Sequence, residues 1–334
     1  MSAAHRNASL STTMSITTRF LLISDTHGED VPLARCVTAD VAIHCGDLTE
    51  ESKIQEFSDT LDLLRGIPAP LKLVIAGNHD FTLDEPTFRN NITRASEDLD
   101  PGLVEREFGR YGEARKLFED AKAQGIYFLD EGTHRLTLGN GAALTVFASP
   151  FTPSTHDTWG FHYKPQQHDF SIPEDVDVVI THGPPHGIMD QTDSRRRAGC
   201  PVSFGAVARR QPKMHCFGHI HEGWGAKLVT WRDTISETPS HFSDIDNSNS
   251  AVIEKLNGLK GTKFDTTEDL EDKLRRREAL DSQGFIKSSH SAGDERPLRS
   301  GQTLFVNAAI QGTTDDYPLH LPRVVDLDLP ACSE

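Results

Sequence analysis

The chain has 334 residues, enough for one large α/β domain or two small ones. Its 36% hydrophobic and 25% charged residues exclude a collagen-like or wholly disordered chain, and no apolar run approaches the roughly 20 residues of a bilayer span. A net charge of −16, from 34 basic and 50 acidic residues, speaks against binding a nucleic-acid polymer, whose phosphates need a positive face.

Residues 1–18 are Ser/Thr-rich with no apolar h-region, so a disordered tail is expected there and no secretory signal. Five cysteines without paired short spacing do not form a disulfide framework, which points to a reducing, cytoplasmic compartment. Short apolar runs follow at 20–23, 41–43, 71–76, 176–180 and 214–217, of a length for strands covered on at least one face. Residues 52–65 place Ile54, Phe57, Leu61 and Leu64 on one helical face, and 113–124 repeat the pattern with Ala114, Leu117, Phe118 and Ala121. Runs at 126–129, 135–138 and 144–148 read as an antiparallel group, turned by Gly139-Asn140-Gly141. Further strands are expected at 226–231, 303–308 and 324–329. From 233 to 301 polar residues dominate, which predicts a partly disordered insertion holding one helix at 267–280. The division expected is a tail (1–18), a core (19–232), the insertion (233–301) and strands completing the core (302–330). Two mixed β-sheets packed face to face with helices outside make this an α/β fold, a four-layer αββα sandwich.

The functional signal sits directly after the strands. Asp25-Thr26-His27-Gly28, Gly46-Asp47, Gly77-Asn78-His79-Asp80, Thr181-His182-Gly183 and Gly218-His219-Ile220-His221 each follow an apolar run. Such strand ends are where α/β sheets build sites. Asp, His and Asn without thiolate match divalent Mn, Fe, Zn or Ni, with Mn or Fe first. Asp25 and His27, two apart, would point the same way in an extended segment. Asp47 at a tight Gly turn is placed as a bridging carboxylate would be. Two cations about 3.5–4 Å apart can activate a shared water and hold both ends of an in-line displacement at phosphorus.

This ordered set resembles the five signature blocks of the calcineurin-like metallophosphoesterase superfamily. The wider text, Gly46-Asp47-Leu48-Thr49-Glu50, Thr181-His182-Gly183-Pro184-Pro185 and His221-Glu222-Gly223-Trp224-Gly225, is similar to the metallophosphoesterase-domain-containing phosphodiesterases. The resemblance implies two divalent metal ions: Asp25, His27 and His221 on the first, Asp47 bridging, and Asn78, His182 and His219 on the second. It also implies His79 as the group that protonates the leaving oxygen, with Asp80 orienting it. The Arg of the protein-phosphatase motif is missing from Gly46–Ser52, which points away from a phosphoprotein substrate.

The expectation is therefore hydrolysis of a small-molecule phosphodiester, cyclic nucleotides among the candidates, by a metal-bridging hydroxide, with no membrane partner. Two rivals use the same cage: an iron-dependent redox enzyme acting on an organic substrate, and a weakly active metal-binding regulatory protein. His156 and Trp159, on a loop at 155–163 with Phe161, His162 and Tyr163, are candidate substrate contacts, with core packing the alternative. Arg196, within the run 195–197, is a candidate phosphate contact, with a solvated surface run the alternative. Asn307 reads as a turn cap, with a place facing the cleft the alternative, and His44, His215 and Cys45 read as core residues.

Overall fold

Continuous apolar runs mark strands covered on both faces, and the computed structural model, which describes residues 14–95, 99–155, 158–165, 167–314 and 317–332, shows what covers them. The strands in chain order are β1 (Ser15–Ile23), β2 (Val41–His44), β3 (Leu71–Val74), β4 (Ile126–Phe128), β5 (Gly132–Thr137), β6 (Ala143–Ser149), β7 (Thr152–Pro153), β8 (His162–Tyr163) and β9 (Val178–Thr181). They continue as β10 (Met214–Phe217), β11 (Gly225–Thr230), β12 (Ala251–Lys255), β13 (Ile286–Ser289), β14 (Gln302–Asn307), β15 (Gln311–Thr314), β16 (Tyr317–Leu319) and β17 (Arg323–Pro330). The helices are α1 (Ile54–Gly66), α2 (Glu85–Arg94), α3 (Pro101–Phe108), α4 (Glu113–Ala121), α5 (Pro201–Arg210) and α6 (Thr267–Gln283).

Two mixed sheets carry the fold, one ordered β13-β17-β1-β2-β3-β4 and the other β12-β11-β14-β10-β9-β6-β5. Alternation along β1 shows the layering. Phe20 and Leu22 point between the sheets, where they meet Val146, Ile180 and Val306. Leu21 and Ile23 point outward, under Phe57 and Leu61 of α1 and Phe118 of α4. On the far side Phe204 and Val207 of α5 cover Val179 and Phe305. The architecture is the αββα sandwich. It leaves the carboxyl ends of β1, β2 and β3 facing those of β9, β10 and β14 along one edge.

Several expectations need correction. The strand at 126–129 does not join an antiparallel group: β4 pairs in parallel with β3, while β5 and β6 form a hairpin in the other sheet. A helical crossover from β3 back to a neighbouring strand yields a parallel pair, and α2, α3 and α4 supply it. The expected tail ends early, because Ser15–Thr18 belong to β1 and pair with Leu327–Pro330. The segment 233–301 is built into both sheets, with β12 edging one and β13 the other. Its order comes from polar groups rather than an apolar stripe. The buried Asp244 carboxylate accepts from the backbone of Ser236 and Ser240 and from the Ser243 hydroxyl, and so folds 236–244 around one side chain. Three helices were not foreseen, α2, α3 and α5, and all begin on a Pro in the first turn behind Asp84, Asp100 or Cys200 as N-cap.

Candidate metal centre

Loops from the two sheets interlock at the shared edge. After β1, the N–H of Asp25 donates to Gly46 O (2.9 Å) and that of His27 to Asp47 O (3.2 Å). After β10, Gly218 N–H donates to His182 O, and His219 N–H to the Asp25 carboxylate at 3.0 Å. Asn307, at the end of β14, donates from Nδ2 to Ile220 O (2.8 Å) and accepts Ala309 N–H at Oδ1 (3.1 Å). It is a turn cap as expected, and it also steadies the turn between His219 and His221.

The extended reading of Asp25 and His27 is corrected by the backbone. Asp25 (φ 54°), His27 (φ 50°), Asp47 (φ 51°) and His219 (φ 66°) all adopt the left-handed conformation that non-glycine residues avoid. Strain of this kind persists where the surroundings over-determine it, and it concentrates at functional sites. The glycines between permit the close approach. A Cβ on Gly77 would lie 2.2 Å from Asp47 Oδ1, and one on Gly218 would lie 2.0 Å from Asp25 Oδ2.

Three candidate ligand groups result, one of them formed by His27, Glu50 and His79, and the other two carry the expected ligands. Asp25, His27 and His221 place one donor atom each within 4.8 Å of one another, and so do Asp47, His182 and His219. Asn78 joins the second group, with its Oδ1 2.9 Å from His182 Nε2. His182 supplies the test of whether a cation fits. Its Nδ1 lies 2.9 Å from Cys45 O, a carbonyl that can only accept, so Nδ1 carries the proton. Nε2 then faces two oxygens, Asn78 Oδ1 and Asp47 Oδ2 at 3.2 Å. That position calls for a second proton or a metal ion. Burial opposes a charged ring there, yet Asp47 carries the His182 pKa up to about 9. At His27, Nδ1 lies 2.8 Å from Glu50 Oε2, yet neither ring nitrogen makes a hydrogen bond among the described residues. The donor set fits divalent metal ions.

The remaining electrostatics agree. Burial alone would raise Asp25 and Asp47, but His221 holds Asp25, and His182 holds Asp47, well below the usual carboxylate range. Burial, helped by His182, lowers His219 to about 3 and keeps it neutral and ready to ligate. His44 and His215 are fully buried, bonded at Nε2 to Thr26 (2.9 Å) and Thr181 (2.8 Å), the residues beside the ligands.

The candidate catalytic pair is rearranged. Asp80 does not orient His79. It is buried and accepts from Gly77 N–H (2.7 Å), Leu48 N–H (3.1 Å), Thr49 N–H (3.0 Å) and the Thr49 hydroxyl (2.7 Å), which clamps two loops together. Burial and the neighbouring Asp47 charge raise its pKa to about 7. His79 is held instead by its Nδ1, which donates to Glu50 O (2.7 Å), while its own N–H reaches Asp47 Oδ1 (2.8 Å). Glu50 therefore orients His79 through its carbonyl and sets its carboxylate beside His27. Sequence reasoning passed over it, although it stands three residues from Asp47.

Among the candidate substrate contacts, Trp159 lies against His79, ring centroids 4.2 Å apart. His156 lies outside the described residues. Arg196 is exposed on a loop whose neighbour Arg197 pairs with the buried Asp190 (2.6 Å). Tyr163 is buried in the core beneath α5, so packing accounts for it.

Over 215 residues the chain is 35% identical to "Metallophosphoesterase domain-containing protein 1" of Homo sapiens and of Mus musculus, an alignment covering 62% of this chain and 62% of each relative. It is 32% identical over 217 residues to "Probable rhamnogalacturonate lyase C" of Emericella nidulans, covering 64% of this chain and 18% of that one. The solved purple acid phosphatase PPD1 from yellow lupin seeds aligns with a TM-score of 0.38 and 10% identity, over 94% of this chain and 55% of that chain. No helix among the described residues is long and apolar enough to cross a membrane. Residues 18–223, more than half of the sequence, match the family model of the calcineurin-like phosphoesterases, and the chain belongs to that family.

Proposed function

We propose that the chain is a dinuclear, metal-dependent phosphodiesterase acting on a small phosphodiester with an aromatic or nucleobase substituent, cyclic nucleotides being the first candidates. The observation that carries this reading is His182 Nε2, turned toward two oxygens, of Asp47 and Asn78, a position that a second proton or a metal ion satisfies. Asp25, His27 and His221 would hold one ion, Asn78, His182 and His219 the other, and Asp47 would bridge them. Divalent ions at such a centre supply an acidified water and neutralise charge on the phosphoryl oxygens. The chain's own contribution is positional. Glu50 holds the Nδ1–H of His79, which leaves Nε2 free to take a second proton and, as the imidazolium, to pass it to the departing oxygen. Trp159, tilted against His79, offers a platform for an aryl group or base at that same oxygen. The small-molecule partner follows from the chain's acidity, which disfavours a polyanionic strand.

The test is hydrolysis of bis(p-nitrophenyl) phosphate by protein stripped with chelator and then reloaded with Mn. Turnover is expected to return with the metal and to fall by on the order of 10²–10³ in Asp47→Asn, the scale of losing one preorganised charge. Two ions bound per chain without turnover would sink the reading.

A further inference from the structure

Helix α2 buries only one of its ten side chains, Phe88, so the apolar core gains little from it. Its polar contacts go instead to the segment that carries Trp159. The Asn91 amide donates from Nδ2 to Thr158 O at 2.8 Å, a carbonyl that can only accept. At the other end of the helix Asp84, the N-cap, takes two donors on one carboxylate oxygen. They are the Phe161 N–H at 2.8 Å and the Thr87 hydroxyl at 2.9 Å. Seven positions separate Asp84 from Asn91, about two helical turns, which sets them on one side of α2. Together they grip the backbone on either side of Trp159.

A third tie runs to the candidate metal centre. Gly160 N–H donates to Asn78 O at 2.9 Å, and a Cβ on Gly160 would meet Phe81 Cα at 2.8 Å. Phe161 then turns into the left-handed conformation (φ 53°), which a bulky residue keeps only where its surroundings over-determine it. These ties fix one ring. Trp159 is half-buried and tilted at 41° to His79, with centroids 4.2 Å apart. Asparagine is a poor helix former, and helix propensity alone would favour alanine at position 91. Its amide holds a loop instead.

We propose that Asn91 is a positioning residue for substrate selection. Through Thr158 it holds the Trp159 ring beside His79, so that the site prefers phosphoryl ligands bearing an aromatic group. Asp84 secures the other side of the same ring. The inference rests on the phosphodiesterase reading for the place of the phosphoryl group, and it adds the element that sets selectivity. A ring held in its binding orientation before the ligand arrives spares the cost of ordering it afterwards.

The experiment is calorimetric titration of phenylphosphonate and methylphosphonate, neither of them an ester, into Mn-loaded protein. The native chain is compared with Trp159→Ala, Asn91→Ala and Asn91→Asp, the last of which has no side-chain N–H to give. Native protein is expected to bind phenylphosphonate about tenfold more tightly than methylphosphonate, the low end of what stacking on an aromatic side chain contributes. Trp159→Ala should remove that preference. Each Asn91 variant should reduce it to about twofold, the scale of one lost hydrogen bond, with the loss confined to phenylphosphonate. Melting of Asn91→Ala should not fall, because alanine favours the helix. Acrylamide quenching of fluorescence reads the ring directly, since the other two tryptophans, Trp224 and Trp231, are only 1% and 4% exposed. Quenching should rise in both Asn91 variants. Equal affinity of the native chain for the two phosphonates, or an undiminished preference in both Asn91 variants, overturns the proposal. The phosphodiesterase reading fails separately, on turnover of bis(p-nitrophenyl) phosphate, and the phosphonate ratio is readable whether or not that turnover occurs.

Discussion

The two sheets bring different chemistry to the shared edge. The six-stranded sheet contributes both carboxylates and the amide, Asp25, Asp47 and Asn78, together with His27. The seven-stranded sheet contributes imidazoles alone, His182, His219 and His221. Neither edge is a metal site by itself. Joined, they face charge against ring, with Asp47 3.2 Å from His182 and Asp25 3.3 Å from His221. Residues that would ligate metal therefore also form the electrostatic seam that closes the sandwich at this end. The apolar core between the sheets supplies affinity without direction, whereas the seam specifies how the two edges align.

The largest expected effect comes from forcing the edges apart. Gly218 follows β10 of one sheet, yet a side chain on it would strike Asp25 Oδ2 at 2.0 Å and Ser24 Oγ at 2.1 Å on the other. Gly218→Ala must push the His219–His221 turn away from Asp25. Metal affinity, measured by Mn titration, is expected to fall by on the order of 100-fold, at the upper end of what losing a ligand's support costs. Native affinity in this variant would show that the seam is soft and that the sheets are positioned by the core alone.

Legibility in the sequence divides along the same line. Strands and ligating residues could be read because each motif is covalently attached to the strand that presents it: Asp25 follows β1 as surely as His182 follows β9. Cross-sheet partners could not be read, because Cys45 O meeting His182, or His219 N–H reaching Asp25, depends on how two sheets approach. Asp80 misled for a related reason. Its place beside His79 suggested a hydrogen bond between neighbours, but the turn points it back at Leu48 and Thr49 on another loop. The insertion was misjudged because periodicity detects apolar faces only, and its folded segment is gathered by Asp244.

Acidity offers a second way to probe the seam, with an effect of intermediate size. In metal-free protein His182 titrates at about 9 in the fold against an ordinary 6.5, so its pairing stabilises fully below 6.5 and is lost as pH rises toward 9. Asp25 and Asp47 are depressed from 3.8, so their contribution is present above that value and is lost as pH falls below it. Urea denaturation of chelated protein should therefore show stability declining between about pH 6.5 and about pH 9. His182→Asn should flatten that decline. A decline that survives undiminished would be carried by His221, which Asp25 raises against burial, or would lie outside the seam.

The smallest effect separates the seam from the loops behind it. Asp80 accepts four hydrogen bonds, all from residues of the six-stranded sheet's own loops, and touches neither β9 nor β10 among the described residues. Each carboxylate oxygen faces at least one backbone N–H. Asp80→Asn must therefore turn an amide N–H₂ toward an N–H that cannot accept, at a cost of about 1–3 kcal/mol. Thermal melting should register that loss, while the decline between pH 6.5 and pH 9 assigned to His182 keeps its shape. If Asp80→Asn instead abolishes the pH dependence, the two loops and the seam titrate as one unit, and the division between the sheets does not hold at this edge.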